Sequence, residues 1–129
     1  MLREMKNREA GKLIFLIFLF VSGLTFAQSD PKVTFVELGS VNCIPCKQMQ
    51  PVMKAIEEKY GEQVKVIFHD VWTDEGKPYA SKFGIKLIPT QVFLDDKGKE
   101  FFRHEGFYPE KEIDKLLNAK GVKPVNKKR

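Results

Sequence analysis

Cysteine is scarce: Cys43 and Cys46 are the only two in 129 residues, which excludes a scaffold stapled by several disulfides. Histidine is equally sparse, at His69 and His104. A closed zinc site shows two clustered ligand pairs at defined spacings, and the second pair is missing. Neither internal repeats nor low-complexity tracts occur, so nothing points to a solenoid or a disordered polymer. No apolar run reaches the roughly 20 residues that a membrane-crossing helix needs; the longest, Leu13 to Val21, has nine. A basic fold surface is missing too, although the net charge is +5. Residues 1–27 carry four basic and two acidic side chains and residues 120–129 five basic and none acidic, which leaves −2 for the middle. Binding a phosphate backbone needs a basic face on the fold itself, so no nucleic-acid partner is expected.

What is present fits one domain with a modest core, at 43% hydrophobic and 30% charged residues. Residues 1–27 read as a secretory signal. Arg3, Lys6, Arg8 and Lys12 precede the apolar run, and small residues follow, with Thr25 and Ala27 suited to a cut after Ala27. Export is therefore expected, with an uncleaved membrane tether as the alternative. Leu13 to Ala27, at 15 residues, is short for a span. No cysteine directly follows the run, so the usual bacterial lipid anchor has no attachment point there.

From residue 28 to 119 the patterning alternates strand and helix. Val33 to Leu38 is β-rich and apolar on both faces apart from Glu37, which suits a central strand. Gly39 to Asn42 turns into a helix over about Cys43–Tyr60, with Met49, Met53, Ile56 and Tyr60 at helical spacing and Gly61 as the stop. Pro51 falls inside it and should kink it. Val64 to Val71 reads as a second strand, parallel to the first because a helix crosses between them. Thr73 or Asp74 is placed to cap a short helix ending near Phe83, closed by Gly84. Gln91–Leu94 and Lys99–Glu105 flank Asp95-Asp-Lys-Gly98 as a hairpin. Pro109 suits the first position of a last helix that buries Ile113, Leu116 and Leu117 and ends at Gly121. From Asn118 onward the chain reads as a solvated basic tail, counted from residue 120, whose Lys127-Lys-Arg129 run touches at most an anionic membrane surface. The order βαβαββα predicts an α/β domain, a mixed central sheet with helices on both faces.

Chemistry concentrates at Asn42-Cys43-Ile44-Pro45-Cys46. In a first helical turn, positions i and i+3 share a face at the Cα separation of about 5.5–6 Å that a disulfide tolerates, so the pair can open and close with little backbone movement. If Cys43 lies at the helix start, unpaired amides and the dipole favour its thiolate, the attacking species, and Cys46 one turn deeper resolves the mixed disulfide. A purely structural disulfide closing so short a loop would add little stability. Topology places Val71-Trp72, Ile88-Pro89-Thr90 and His104–Phe107 at the same sheet edge. There Ile44, Pro45, Trp72, Ile88 and Phe107 would form an apolar rim suited to extended polypeptide. Trp72 as ordinary packing, His104 as a rim or solvent-facing residue and His69 as a satisfied core or surface histidine complete the reading.

Cys43-Ile-Pro-Cys46 after a strand, Pro51 five residues beyond the second cysteine, Ile88-Pro89-Thr90, and Gly106 at the hairpin's end together resemble the thioredoxin family over roughly residues 33–119. The resemblance implies a thioredoxin-like fold and thiol:disulfide oxidoreductase activity without a cofactor or metal. It implies Cys43 as nucleophile and Cys46 as resolving thiol. Ile44, Pro45, Ile88, Pro89 and Thr90 would contact substrate, with a cis Ile88–Pro89 bond and free backbone groups on Ile88. Glu37, six residues before Cys43, stands where many thioredoxins bury a proton-exchanging aspartate. A carboxylate in so apolar a strand is costly to bury unless it works or reaches solvent, and burial would push its pKa toward neutrality.

The pattern departs from the family in Asn42 before the first cysteine, commonly tryptophan, and in Ile-Pro between the cysteines rather than Gly-Pro. It also lacks the extra N-terminal strand and helix of full-length thioredoxins. In this it is similar to compact exported domains such as the C-terminal domain of the periplasmic membrane thiol reductase. The expectation is a monomeric reductase of client protein disulfides in the bacterial periplasm, recharged by a membrane-bound thiol donor. The alternatives are a disulfide-donating oxidase or isomerase, and a non-enzymatic metal-binding or delivery module.

Overall fold

The structure, a computed structural model, describes residues 29–125. The signal-like segment 1–27 and the Lys127-Lys-Arg129 run lie outside the described residues. The elements in chain order are β1 (Val33–Gly39), α1 (Ile44–Tyr60), a single 3₁₀ turn (Gly61–Gln63), β2 (Val64–Asp70), α2 (Lys77–Lys82), β3 (Thr90–Leu94), β4 (Glu100–Glu105) and α3 (Glu110–Ala119). They build one four-stranded sheet in the order β2-β1-β3-β4. β1 pairs parallel with β2, as a helical crossover requires, and antiparallel with β3; β3 pairs antiparallel with β4. This is the mixed sheet that the element order predicts.

Strand alternation divides β1 between two cores. Val33 and Phe35 face the larger one, with Phe93 from β3, Met49, Met53, Ile56 and Tyr60 from α1, and Ile113 and Leu117 from α3. Val36 and Leu38 face the smaller one, with Val71 and Val92, and beneath Tyr79 and Ala80 of α2. Helices thus cover both faces. An ion-pair group ties α1 to α3: Lys59 Nζ meets Glu110 and, at 2.8 Å, Asp114, whose other oxygen accepts from the Tyr60 hydroxyl.

Four local expectations are corrected. Pro109 is the N-cap of α3, one residue ahead of the first helical position. Neither Thr73 nor Asp74 caps α2: the Thr73 hydroxyl instead accepts from the Gly76 N–H at 3.1 Å, closing a turn that delays the helix to Lys77. His104 is half-buried rather than fully open to solvent, its ring stacked on Tyr108 with centroids 4.2 Å apart. The chain after Asn118 is not a solvated tail as far as Val125. Val122 is buried in the larger core and the Val125 N–H donates to the Lys59 carbonyl at 2.9 Å. Charge and proline suggested solvation, but the buried Val122 side chain and the Val125 main chain dock the segment.

Candidate active site at the start of α1

Cys43 is the N-cap of α1, extended at φ −95° and ψ 125°, and its sulfur accepts from the Cys46 N–H at 3.4 Å. One of the four unpaired amides of the helix start is therefore spent on this sulfur, as a thiolate there would use it. The first helical positions are Ile44 and Pro45, and proline is tolerated where no N–H partner exists. Cys43 and Cys46 are joined, with sulfurs at 2.22 Å and Cα atoms at 5.2 Å. Both are buried, Cys46 more deeply, at 1% exposure against 7%. Gly39 at the end of β1 makes room for them: a Cβ there would stand 3.2 Å from both Cβ and Sγ of Cys46.

The loop that presents the cysteines is pinned to the neighbouring strand. Asp70, ending β2, accepts from the Ser40 hydroxyl at 3.3 Å and from the main-chain N–H groups of Val41 and Trp72 at 3.0 Å each. These donors, Val41 first, hold its carboxyl below the usual range. Gly76 packs on this corner, where a Cβ would run into the Asp70 carbonyl. Sequence reasoning missed Asp70; an aspartate near the end of the second strand, an otherwise mostly apolar run, was the available signal.

On the opposite side stands Ile88–Pro89, which is cis. Pro89 accepts from the Gly106 N–H at 2.7 Å and Thr90 donates its hydroxyl to the Leu87 carbonyl at 2.8 Å. Thr90 and Pro89 are buried and Ile88 half-buried. Among the described residues, no backbone group bonds the N–H or carbonyl of Ile88. Ile44, Trp72 and Phe107 are exposed, Ile44 at 74% and Trp72 at 62%, so Trp72 does not serve as core packing. Val41 and Leu87 are further exposed apolar side chains in these loops, and the sequence reading had omitted both.

Glu37 is fully buried. Strand alternation sets it on the face of Phe35 and Gly39, the face against which Cys46 packs. Its Oε1 accepts from Gln91 Nε2 at 3.2 Å and its Oε2 has no partner. Burial pushes its pKa up to about 8, the Gln91 bond opposing the rise. His69 is apart from this group, half-buried and stacked on Tyr79 at 3.5 Å. Burial and then Lys82 lower its pKa.

This arrangement can do dithiol–disulfide exchange: a closed pair at a helix start, a deep second sulfur and a buried carboxyl on the same side of the sheet. A family profile described as a thioredoxin-like domain matches residues 24–121. The chain belongs to that family. The thioredoxin of Bacillus subtilis is 30% identical over 92 residues, covering 71% of this chain and 86% of that protein. That of Listeria monocytogenes is 29% identical, covering 76% and 93%. A solved thioredoxin variant from Halobacterium salinarum superposes at a TM-score of 0.63 with 27% identity, over 75% of this chain and 80% of that one. This thioredoxin-like domain is a thiol–disulfide oxidoreductase whose redox pair is Cys43–Cys46.

Proposed function

We propose that the domain reduces protein disulfides outside the cytoplasm. The observation that carries the reading is the Cys43–Cys46 pair at the first turn of α1, flanked by the unengaged backbone of Ile88 and by exposed Ile44, Trp72 and Phe107. An extended client strand lying across Ile88 finds main-chain partners there and apolar contacts on either side. The signal-like residues 1–27 support an exported location, the bacterial periplasm being the setting in which such a domain is needed.

In the reduced protein the Cys43 thiolate attacks one sulfur of the client disulfide. A Cys43–client disulfide forms, and the other client sulfur leaves as thiolate and takes a proton. Cys46 then gives its proton to the Glu37 carboxylate and attacks Cys43 Sγ. The internal disulfide forms, and the second client sulfur leaves as thiolate and takes up the proton that Glu37 releases. Two electrons have passed to the client, and restoring the Cys43 thiolate and Cys46 thiol needs two electrons and one proton from a thiol donor, for which a membrane-bound reductant is the fitting class. Ile44, Pro45, Ile88, Pro89 and Thr90 form the client-facing surface.

The midpoint potential of Cys43/Cys46 against glutathione tests the direction. A value near −270 mV supports reduction, whereas one near −120 mV would mark a disulfide donor. Insulin reduction driven by dithiothreitol should be lost in Cys43→Ser, and Cys46→Ser should trap clients as mixed disulfides. Export is read separately, by fractionating cells that express the full chain.

A further inference from the structure

One transverse row of side chains crosses the sheet beneath α1. Register places Glu37 of β1 opposite Phe68 of β2 and Gln91 of β3, and Gln91 opposite His104 of β4. Gln91 is fully buried and spends both ends of its amide: Nε2 on Glu37 Oε1 at 3.2 Å, and Oε1 on His104 Nδ1 at 3.0 Å. The His104 ring is held in turn by its stack on Tyr108, which lies over Phe102 and whose N–H donates to Met49 Sδ. A glutamine in a buried run of Thr-Gln-Val-Phe is costly unless its amide is paired, as the glutamate it faces is still more so.

We infer that Gln91 and His104 are positioning residues for Glu37, fixing its carboxyl so that Oε1 is permanently hydrogen-bonded and Oε2 is the atom that takes and gives the proton. The inference rests on Glu37 being the proton acceptor for Cys46. The chemistry of the amide enforces the division of labour. An ionised Glu37 can only accept, so Gln91 must present its NH₂ to it and its carbonyl to His104, and His104 must then carry its proton on Nδ1. Because stacking holds the histidine and the histidine holds the amide, Gln91 keeps its donor in place while the charge on Glu37 appears and disappears. The unpartnered Oε2 is left for the proton. Among the described residues, the titratable groups on this face beside Glu37 are Cys46 of α1, packed against Gly39, and, through Gln91, His104 of β4; β2 places Phe68 opposite it, and no charged side chain contributes to its pKa.

The test uses the oxidised protein, in which neither cysteine titrates. The Glu37 carboxyl is followed by NMR against pH in wild type, Gln91→Met and His104→Phe. Methionine keeps the length of glutamine without a donor, and phenylalanine keeps the stack on Tyr108 without Nδ1. A hydrogen bond to a charged group corresponds to a shift of about one to two pH units, so Gln91→Met should raise the midpoint by that much and His104→Phe should raise it by less. Gln91→Asn, which restores an amide, should bring part of the shift back. In wild type, ¹⁵N NMR should find neutral His104 protonated on Nδ1, a measurement that needs no variant to fold. An unchanged midpoint in Gln91→Met, or a proton on Nε2 with Nδ1 bare, overturns the inference while leaving the role of Glu37 standing. The acceptor role is read apart, from single-turnover resolution of a Cys43 mixed disulfide. In Gln91→Met the acid limb of its pH profile should move with the NMR midpoint. If Glu37→Gln resolves as fast as wild type, the acceptor reading falls and the inference with it.

Discussion

The two faces of the sheet are built differently, although β1 supplies both from alternate residues. Among the described residues, a core of twelve buried side chains that includes Phe35, Phe93, Tyr60 and Tyr108 lies under α1 and α3, whereas four buried ones, Val36, Leu38, Val71 and Val92, lie under α2. α2 has six residues, none of them buried, whereas α1 has seventeen and sinks five. The polar row of Glu37, Gln91 and His104 is on the thick side, with Cys46. On this side burial pushes the Glu37 carboxyl up to about 8. The deeper core therefore serves the chemistry as well as the fold, at a cost in stability where Glu37 sits.

That cost gives the largest expected effect. The folded chain holds Glu37 at about 8 against 4.5 for the free side chain. Between those values the folded state keeps a proton that the unfolded state has released, so stability falls as pH rises from about 4.5 to about 8 and is level beyond. At 1.36 kcal/mol per unit the full loss is on the order of 5 kcal/mol. Glu37→Gln should remove the slope in that window and gain about 3 kcal/mol or more at pH 8.5, measured by urea denaturation of the oxidised protein. Stability that still falls with pH in the variant would place the dominant titration elsewhere, and the thick face would lose its claim to the effect.

Adjacent residues of β3 compare the faces directly. Phe93 stacks on Phe35 at 4.8 Å and points to the large core, while Val92 points to the small one, and both are fully buried. Phe93→Ala should destabilise by about 4 kcal/mol. Val92→Ala should do so by about 2 kcal/mol, from the methyls lost plus an incompletely filled cavity. Equal losses would mean that the four-residue core is as tightly organised as the twelve-residue one.

Much of this was legible in the chain. The β-rich apolar run Val33–Leu38, the helical spacing of Met49, Met53, Ile56 and Tyr60, and Asp-Lys-Gly at the hairpin gave these elements within a residue or two, because run length, spacing and turn chemistry agree. Cys43 and Cys46 stood out through their spacing, and Pro89 through the family resemblance. Glu37 stood out because a lone charge in an apolar strand needs a reason. Gln91 and His104 did not, since an uncharged amide in a strand raises no alarm until register sets it opposite a carboxylate, and register is a long-range property. Thr73 misled for a related reason: a hydroxyl can cap a helix or close a turn, and the choice depends on how closely Gly76 packs on Asp70.

The segment after α3 offers the smallest test, and it asks how far the thick face extends. Val122 is buried with Ile113 and Leu117, its N–H donating to the Leu117 carbonyl at 2.9 Å, and Gln63 Nε2 holds the Lys123 carbonyl at 2.8 Å. The chain thus folds back over the end of α1 after Gly121, whose φ of 78° suits glycine. If this is part of the core, Val122→Ala should lower stability by about 1–2 kcal/mol, less than Val92→Ala because a segment near the chain end relaxes more readily into the space left. The rate of disulfide exchange should stay unchanged, since no residue of this segment is at the Cys43 end of the sheet. A loss below about 0.5 kcal/mol, the level of an ordinary surface substitution, would return the segment to solvent and end the large core at Leu117.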